Sequence, residues 1–196
     1  MNARERVLGL VRDALRNRAT TEHPGAFEGW RPAANVRAGI EGFATMLEAA
    51  GGEVVRQPDD AAAAAWLVRF SRDFPTAAVG QTVPAGLRPL LPTAGPDAAP
   101  LGVSMARGAI AETGSLLMDA RDGRRAQLLP PTHVVFVRRS DVHGTFREAL
   151  LAMRDDLSSS IGLHSGPSKS ADIGHIMVKG VHGPGRLIAV VIGDEP

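Results

Sequence analysis

The sequence predicts an α/β fold organised around a largely parallel, buried β-sheet. Short, near-continuous apolar runs alternate with helix-like stretches, and the clearest runs are His133–Val137 and Leu187–Ile192. Strands that are apolar at consecutive positions are covered on both faces, as in parallel sheets flanked by crossover helices. Size agrees with this, because 196 residues with 44% hydrophobic content suffice for one domain with a sizeable core.

Taken in order, Val7, Leu8, Leu10, Val11, Ala14 and Leu15 share one helical face behind an N-cap at Asn2, predicting a helix over 3–18. Thr20 to Pro32 reads as a loop. Val36, Ile40, Phe43, Leu47 and Ala50 recur at helical spacing, so a second helix buries one stripe and stops at Gly51-Gly52. Glu53 to Arg56 starts a strand, and Asp59-Asp60 opens an alanine-rich helix. Ala77–Gly80 and Leu101–Met105 read as short strands. Between them, Val83 to Pro100 holds five of the fourteen prolines and reads as an irregular connection. A strand at Ser115–Met118, the strand at His133–Val137, a helix over Phe146–Leu157 and the closing strand Leu187–Ile192 complete the alternation.

Composition narrows the function classes. The formal net charge is +1, and Arg4, Arg6, Arg12, Arg16 and Arg18 read as a solvated helix face without interleaved aromatics, so nucleic acid is not the expected partner. The chain has no cysteine, which excludes thiolate nucleophiles, disulfides and cysteine-held iron–sulfur clusters within it. No apolar run approaches the ~20 residues of a membrane span, and no signal-peptide pattern opens the chain, so cytoplasm is the expected location. The histidines lack the spacing of metal-binding helices, and no metal is expected.

Two stretches hold the candidate chemistry. In Ala109–Ser115, Glu112 stands beside Thr113 and Gly114 ahead of an apolar strand, where a carboxylate serves as base or nucleophile, or simply brackets a turn. In the second stretch, Ser165, Gly166, Ser168, Lys169 and Ser170 precede a predicted short helix. Ser170 is its cap, Asp172 lies in its first turn, Ile173, Ile176 and Met177 face the core, and Gly180 lies past its end. Unpaired N–H groups at such a start favour an anion. His182 and Gly183 sit in the following turn, within reach of the same anion or of a structural hydrogen bond. Neither a P-loop, a nucleophile elbow nor a dinucleotide fingerprint is present.

Together, Ala109–Ser115, Leu129–His133, Ser165–Ser168 with Ala171–Ile173, and Gly180–Pro184 resemble the signature of the LUD-domain family, in its lactate utilisation protein C branch. The resemblance extends over 1–196 as one LUD domain, with the motif region at 109–193. It implies a three-layer α/β/α fold of the ribose-phosphate isomerase and CoA-transferase (NagB/RpiA) type. It also implies an accessory role in oxidising L-lactate to pyruvate beside iron–sulfur partner proteins, which would hold the clusters that this cysteine-free chain cannot. The related transferases use a glutamate, and Glu112 is its only counterpart here. The alternative is a stand-alone isomerase, cyclo-ligase or acyl-transfer enzyme acting on a phosphorylated or CoA-linked substrate.

Overall fold

The computed structural model describes residues 2–16, 39–171 and 177–193, and the chain divides into two compact units, 1–34 and 35–196. In the first unit, α1 (Ala3–Arg16) starts where expected. Asn2 Oδ1 accepts from the Glu5 backbone N–H at 2.8 Å, and Glu5 Oε2 accepts from that of Asn2 at 3.0 Å. This reciprocal cap satisfies two N–H groups that a helix start leaves unpaired. The expected end at Arg18 and the loop from Thr20 to Pro32 lie outside the described residues.

The second unit is built on a five-stranded sheet. Its strands are β1 (Glu53–Gln57), β2 (Ala77–Val79), β3 (Leu101–Met105), β6 (Thr132–Arg138) and β11 (Arg186–Ile192), in the order β1-β11-β6-β3-β2. Every neighbouring pair is parallel. The central strands β6 and β11 send alternate side chains to two cores. Val134, Phe136, Ile188, Val190 and Ile192 meet Ala63 and Leu67 of α3 (Asp60–Phe70) on one face. On the other face, Val135, Val137, Leu187, Ala189 and Val191 meet Phe43 and Leu47 of α2 (Gly39–Ala49). This two-sided burial explains the unbroken apolar runs. α3 begins as predicted, with Asp59 Oδ1 accepting from the Ala62 N–H at 2.7 Å.

The α2 face carries more than a helix. β4 (Gly108–Ile110), β5 (Ser115–Asp119), β7 (Val142–His143) and β8 (Ile161–His164) form a second sheet in the order β7-β4-β5-β8. The β4–β5 and β5–β8 pairs are antiparallel and β4–β7 is parallel. Ala109, Leu116 and Met118 turn toward the central sheet, whereas Ile110 and Leu117 pack on Ala149 and Met153 at α5 (Phe146–Ala152). The strand expected at Ser115–Met118 therefore belongs to this layer. The expected helix over Phe146–Leu157 ends at Ala152, and a 3-10 turn follows at Arg154–Asp156. A short α4 (Arg124–Leu128) precedes β6.

The helix expected to begin at Ser170 is overturned at both of its ends. β9 (Lys169–Ala171) and β10 (Met177–Lys179) are strands paired antiparallel, and Met177 is exposed instead of facing the core. The pairing continues beyond the strands, as Gly180 donates its N–H to the Ser168 carbonyl at 2.9 Å. A cross-strand ladder thus outcompetes the local cap and spacing signals. Among the described residues, no helix is long and apolar enough to cross a membrane.

Candidate functional site

Ala111 to Gly114 form the turn between β4 and β5. Gly114 has φ +63, and a Cβ there would lie 2.3 Å from the Leu47 backbone N and 2.6 Å from the Met46 carbonyl carbon. The turn is pressed onto the α2 backbone, which only glycine permits. Glu112 Oε1 accepts from the Phe146 N–H at 2.7 Å, so its carboxylate caps the start of α5. Thr113 and Ser115 share a hydroxyl hydrogen bond of 2.7 Å, and the Ser115 and Ser165 hydroxyls lie 2.5 Å apart. These three hydroxyls tie the β4–β5 turn to the end of β8.

From Ser165 the chain runs along the amino edge of the central sheet. Gly166 packs against Ala50 just before β1, and the Lys169 ammonium donates to the Ala50 carbonyl. Ser168 donates its N–H to the Pro184 carbonyl at 2.8 Å, and Gly183 lies against the Ser168 side chain. Ser170 pairs with Val178 in the β9–β10 ladder. His182 is exposed and, with Gly183, Gly180, Leu128, Leu129 and Pro131, lines an open cleft of about 360 Å³. Asp172 lies outside the described residues.

The fold therefore joins Thr113, Ser165, Gly166, Ser168, Lys169 and the Gly180–Gly183 turn into one continuous junction at the amino ends of β1, β6 and β11. The Glu112 carboxylate instead meets the start of α5, where its Oε1 accepts from the Phe146 N–H. Ser170 itself lies within a strand and not at the cap position of a helix.

Sequence reasoning missed the buried polar groups between the two sheets. His133 is fully buried on β6, with its Nε2 2.9 Å from the Ser104 hydroxyl and its ring centroid 6.0 Å from that of His164. Its Nδ1 has no hydrogen-bond partner among the described residues. Burial, reinforced by the nearby His164, pushes the His133 pKa down to about 3, and burial lowers that of His164 as well. The available signal was a histidine heading an otherwise apolar strand. At the end of β5, on the face that Leu117 turns toward α5, Asp119 accepts both a side-chain and a backbone hydrogen bond from Arg121, at 2.7 Å each. Burial works to raise the Asp119 carboxyl, yet hydrogen bonds from Arg121 and Ser158 hold it below the usual range. Among the described residues, no group of three or more acidic or histidine side chains is placed to hold a metal ion.

A mixed α/β unit with a parallel central sheet, a second sheet packed on one face and a motif junction at its amino edge defines the class. The LUD-domain family model matches residues 97–192, from just ahead of β3 through β11. Among curated relatives, the chain is 40% identical over 90 residues to lactate utilization protein C of Deinococcus radiodurans, covering 43% of this chain and 42% of that protein. It is 32% identical over 107 residues to lactate utilization protein C of Macrococcus caseolyticus, covering 50% of this chain and 46% of that one. The chain thus spans less than half the length of these relatives. The crystal structure of a DUF162 family protein from Deinococcus radiodurans superposes with a TM-score of 0.61 at 22% identity, covering 79% of this chain and 96% of that chain. This likeness establishes the fold.

Proposed function

We propose that this chain serves lactate utilisation as an accessory component that binds a small organic anion and works beside separate iron–sulfur proteins. The observation that carries the reading is the similarity to proteins named lactate utilization protein C, at 32–40% identity over the two stretches compared, together with the LUD-domain match over residues 97–192. Composition supports the division of labour. With no cysteine in its 196 residues, the chain offers no thiolate to an iron–sulfur cluster, so clusters serving the oxidation would be ligated elsewhere. The small-molecule-enzyme alternative relied on Glu112 as nucleophile or base. The hydrogen bond from Phe146 N–H to Glu112 Oε1 supports a structural task for that carboxylate instead.

The test is genetic and biochemical together. Deleting the gene abolishes growth on L-lactate but not on glucose, and the tagged protein purified from lactate-grown cells brings down cysteine-rich partners with lactate-dependent dye reduction. Undiminished growth on L-lactate after deletion overturns the reading.

A further inference from the structure

The opposite, carboxyl edge of the central sheet carries a feature that the motif residues do not touch. The chain leaves β1 to cross one face as α3, whereas it leaves β6 to enter the second sheet on the other face. β11 lies between them. In open parallel sheets, the crevice beyond the strand ends where connections part to opposite faces is where ligands bind. Here it is a cleft of about 190 Å³ lined by Arg56, Gln57 and Pro58 at the end of β1, Arg139 just past β6, and Val191 and Gly193 at the end of β11.

The charges around this cleft are unevenly matched. Arg56 pairs with Glu41 at 2.7 Å, and Arg138 forms a two-pronged pair with Asp60. Asp141, whose charge also acts on Arg138, lines a separate cleft with Arg107 and His143. Arg139 has no acidic partner among the described residues and is half-buried. Its stem lies over Gly193, where a Cβ would come within 3.1 Å of the Arg139 Cβ and where φ is +132. A side chain at position 193 would close the floor of the cleft against the arginine. The α3 start is capped by its own Asp59, so the guanidinium and not the helix is the element available to a ligand.

We infer that the crevice at the carboxyl ends of β1, β11 and β6 is an anion site in which Arg139 holds a short carboxylate. A guanidinium fork matches a carboxylate's two oxygens. The volume falls below the roughly 300 Å³ at which drug-sized pockets begin, so it suits a ligand of a few heavy atoms. The choice of a 2-hydroxy or 2-oxo acid rests on the lactate-utilisation reading, but the site itself does not.

The experiment is titration calorimetry of the purified chain with pyruvate, L-lactate and inorganic phosphate. Pyruvate or L-lactate binds the native protein, Arg139→Gln weakens it by about tenfold or more, and Arg139→Lys, which keeps the charge but not the fork, recovers only part of it. Arg124→Gln, an exposed charge elsewhere, leaves it unchanged. No binding of either carboxylate, binding of phosphate alone, or equal affinity in Arg139→Gln overturns the site. So does loss in Lys169→Ala with retention in Arg139→Gln. Should Arg139→Gln fail to fold, amide shifts on adding pyruvate to the native protein decide. They cluster at residues 56–58, 139 and 193 if the site is real, and shifts confined to the Gly180–Gly183 turn overturn it. Growth on L-lactate reports on the lactate reading separately, so a dispensable Arg139 in a gene still required for lactate growth refutes the site alone.

Discussion

Gly114 and His133 show how much of this fold hangs on single positions. At Gly114 a Cβ collides with the backbone of Met46 and Leu47, and no rotamer can relieve it because the clash is with the first side-chain atom. Gly114→Val should therefore cost about 3 kcal/mol or more, from overpacking together with positive-φ strain, read as a lowered urea midpoint. Wild-type stability in that variant would mean the turn does not pack on α2. His133 acts through pH. In the folded state its pKa is pushed down to about 3, whereas an exposed histidine in the unfolded chain titrates near 6.5. Above that ordinary value both states are neutral and the contribution to stability is complete. Between the two values the unfolded chain takes up a proton that the folded one refuses, so stability falls as pH drops from about 6.5 toward 3, by on the order of a few kcal/mol. His133→Gln should flatten this slope in urea titrations at pH 7 and pH 4.5, and an unchanged slope assigns the acid loss to other groups.

At the scale of elements, α5 shows a helix start capped partly from far away in sequence. Its first turn is held by Thr145 Oγ1 accepting from the Glu148 N–H at 3.2 Å, by Glu148 Oε2 accepting from Gly144 and Thr145, and by Glu112 from the β4–β5 turn. Two of these acceptors are local in sequence; the third is 34 residues away. Glu112→Ala should lower stability by about 1–2 kcal/mol, and its effect should be non-additive with Thr145→Ala because the two acceptors serve neighbouring N–H groups, those of Phe146 and Glu148, in one helical turn that frays as a unit. Strict additivity would separate them. The same distinction marks what the sequence made legible. Asn2, Asp59 and the Phe43–Leu47 stripe speak through neighbours three or four residues away, and those elements stand where expected. Strands β4, β7 and β8 have two to four residues each, too short for a periodic signal. The residues around Ser170 carry local cap and spacing signals of a helix, yet Lys169–Ala171 and Met177–Lys179 pair as strands, and bonds from Ser168 to Pro184 and Gly180 extend the contact beyond them. The candidate site suffered likewise: the hydroxyl contact of Ser115 with Ser165 spans 50 residues, and Arg139 and Arg56 meet only because β6 and β1 flank the same strand.

The second unit as a whole has a stability gradient built into its layers. β6 and β11 lie inside the central sheet, with Val134–Val137 and Leu187–Ile192 buried and cores on both faces. The second sheet is covered on one side by the central sheet and on the other by the small α5 cluster. The β9–β10 hairpin has three residues per strand and largely exposed side chains. Burial of apolar surface sets the free energy needed to open each part. Amides of β6 and β11 should therefore exchange with solvent deuterium only through global unfolding, those of β5 and β8 through a smaller opening, and those of Lys169–Ala171 and Met177–Lys179 first. That ordering sets the Arg139 crevice at the ends of the slowly exchanging strands β6 and β11 and the cleft beside His182 next to the fast-exchanging hairpin. A rigid crevice suits recognition of one small ion without an ordering cost, whereas a yielding hairpin suits a surface that adapts on contact. Hydrogen exchange resolved by peptide measures the gradient directly, and protection of the hairpin equal to that of β6 would show the two edges to be one cooperative unit.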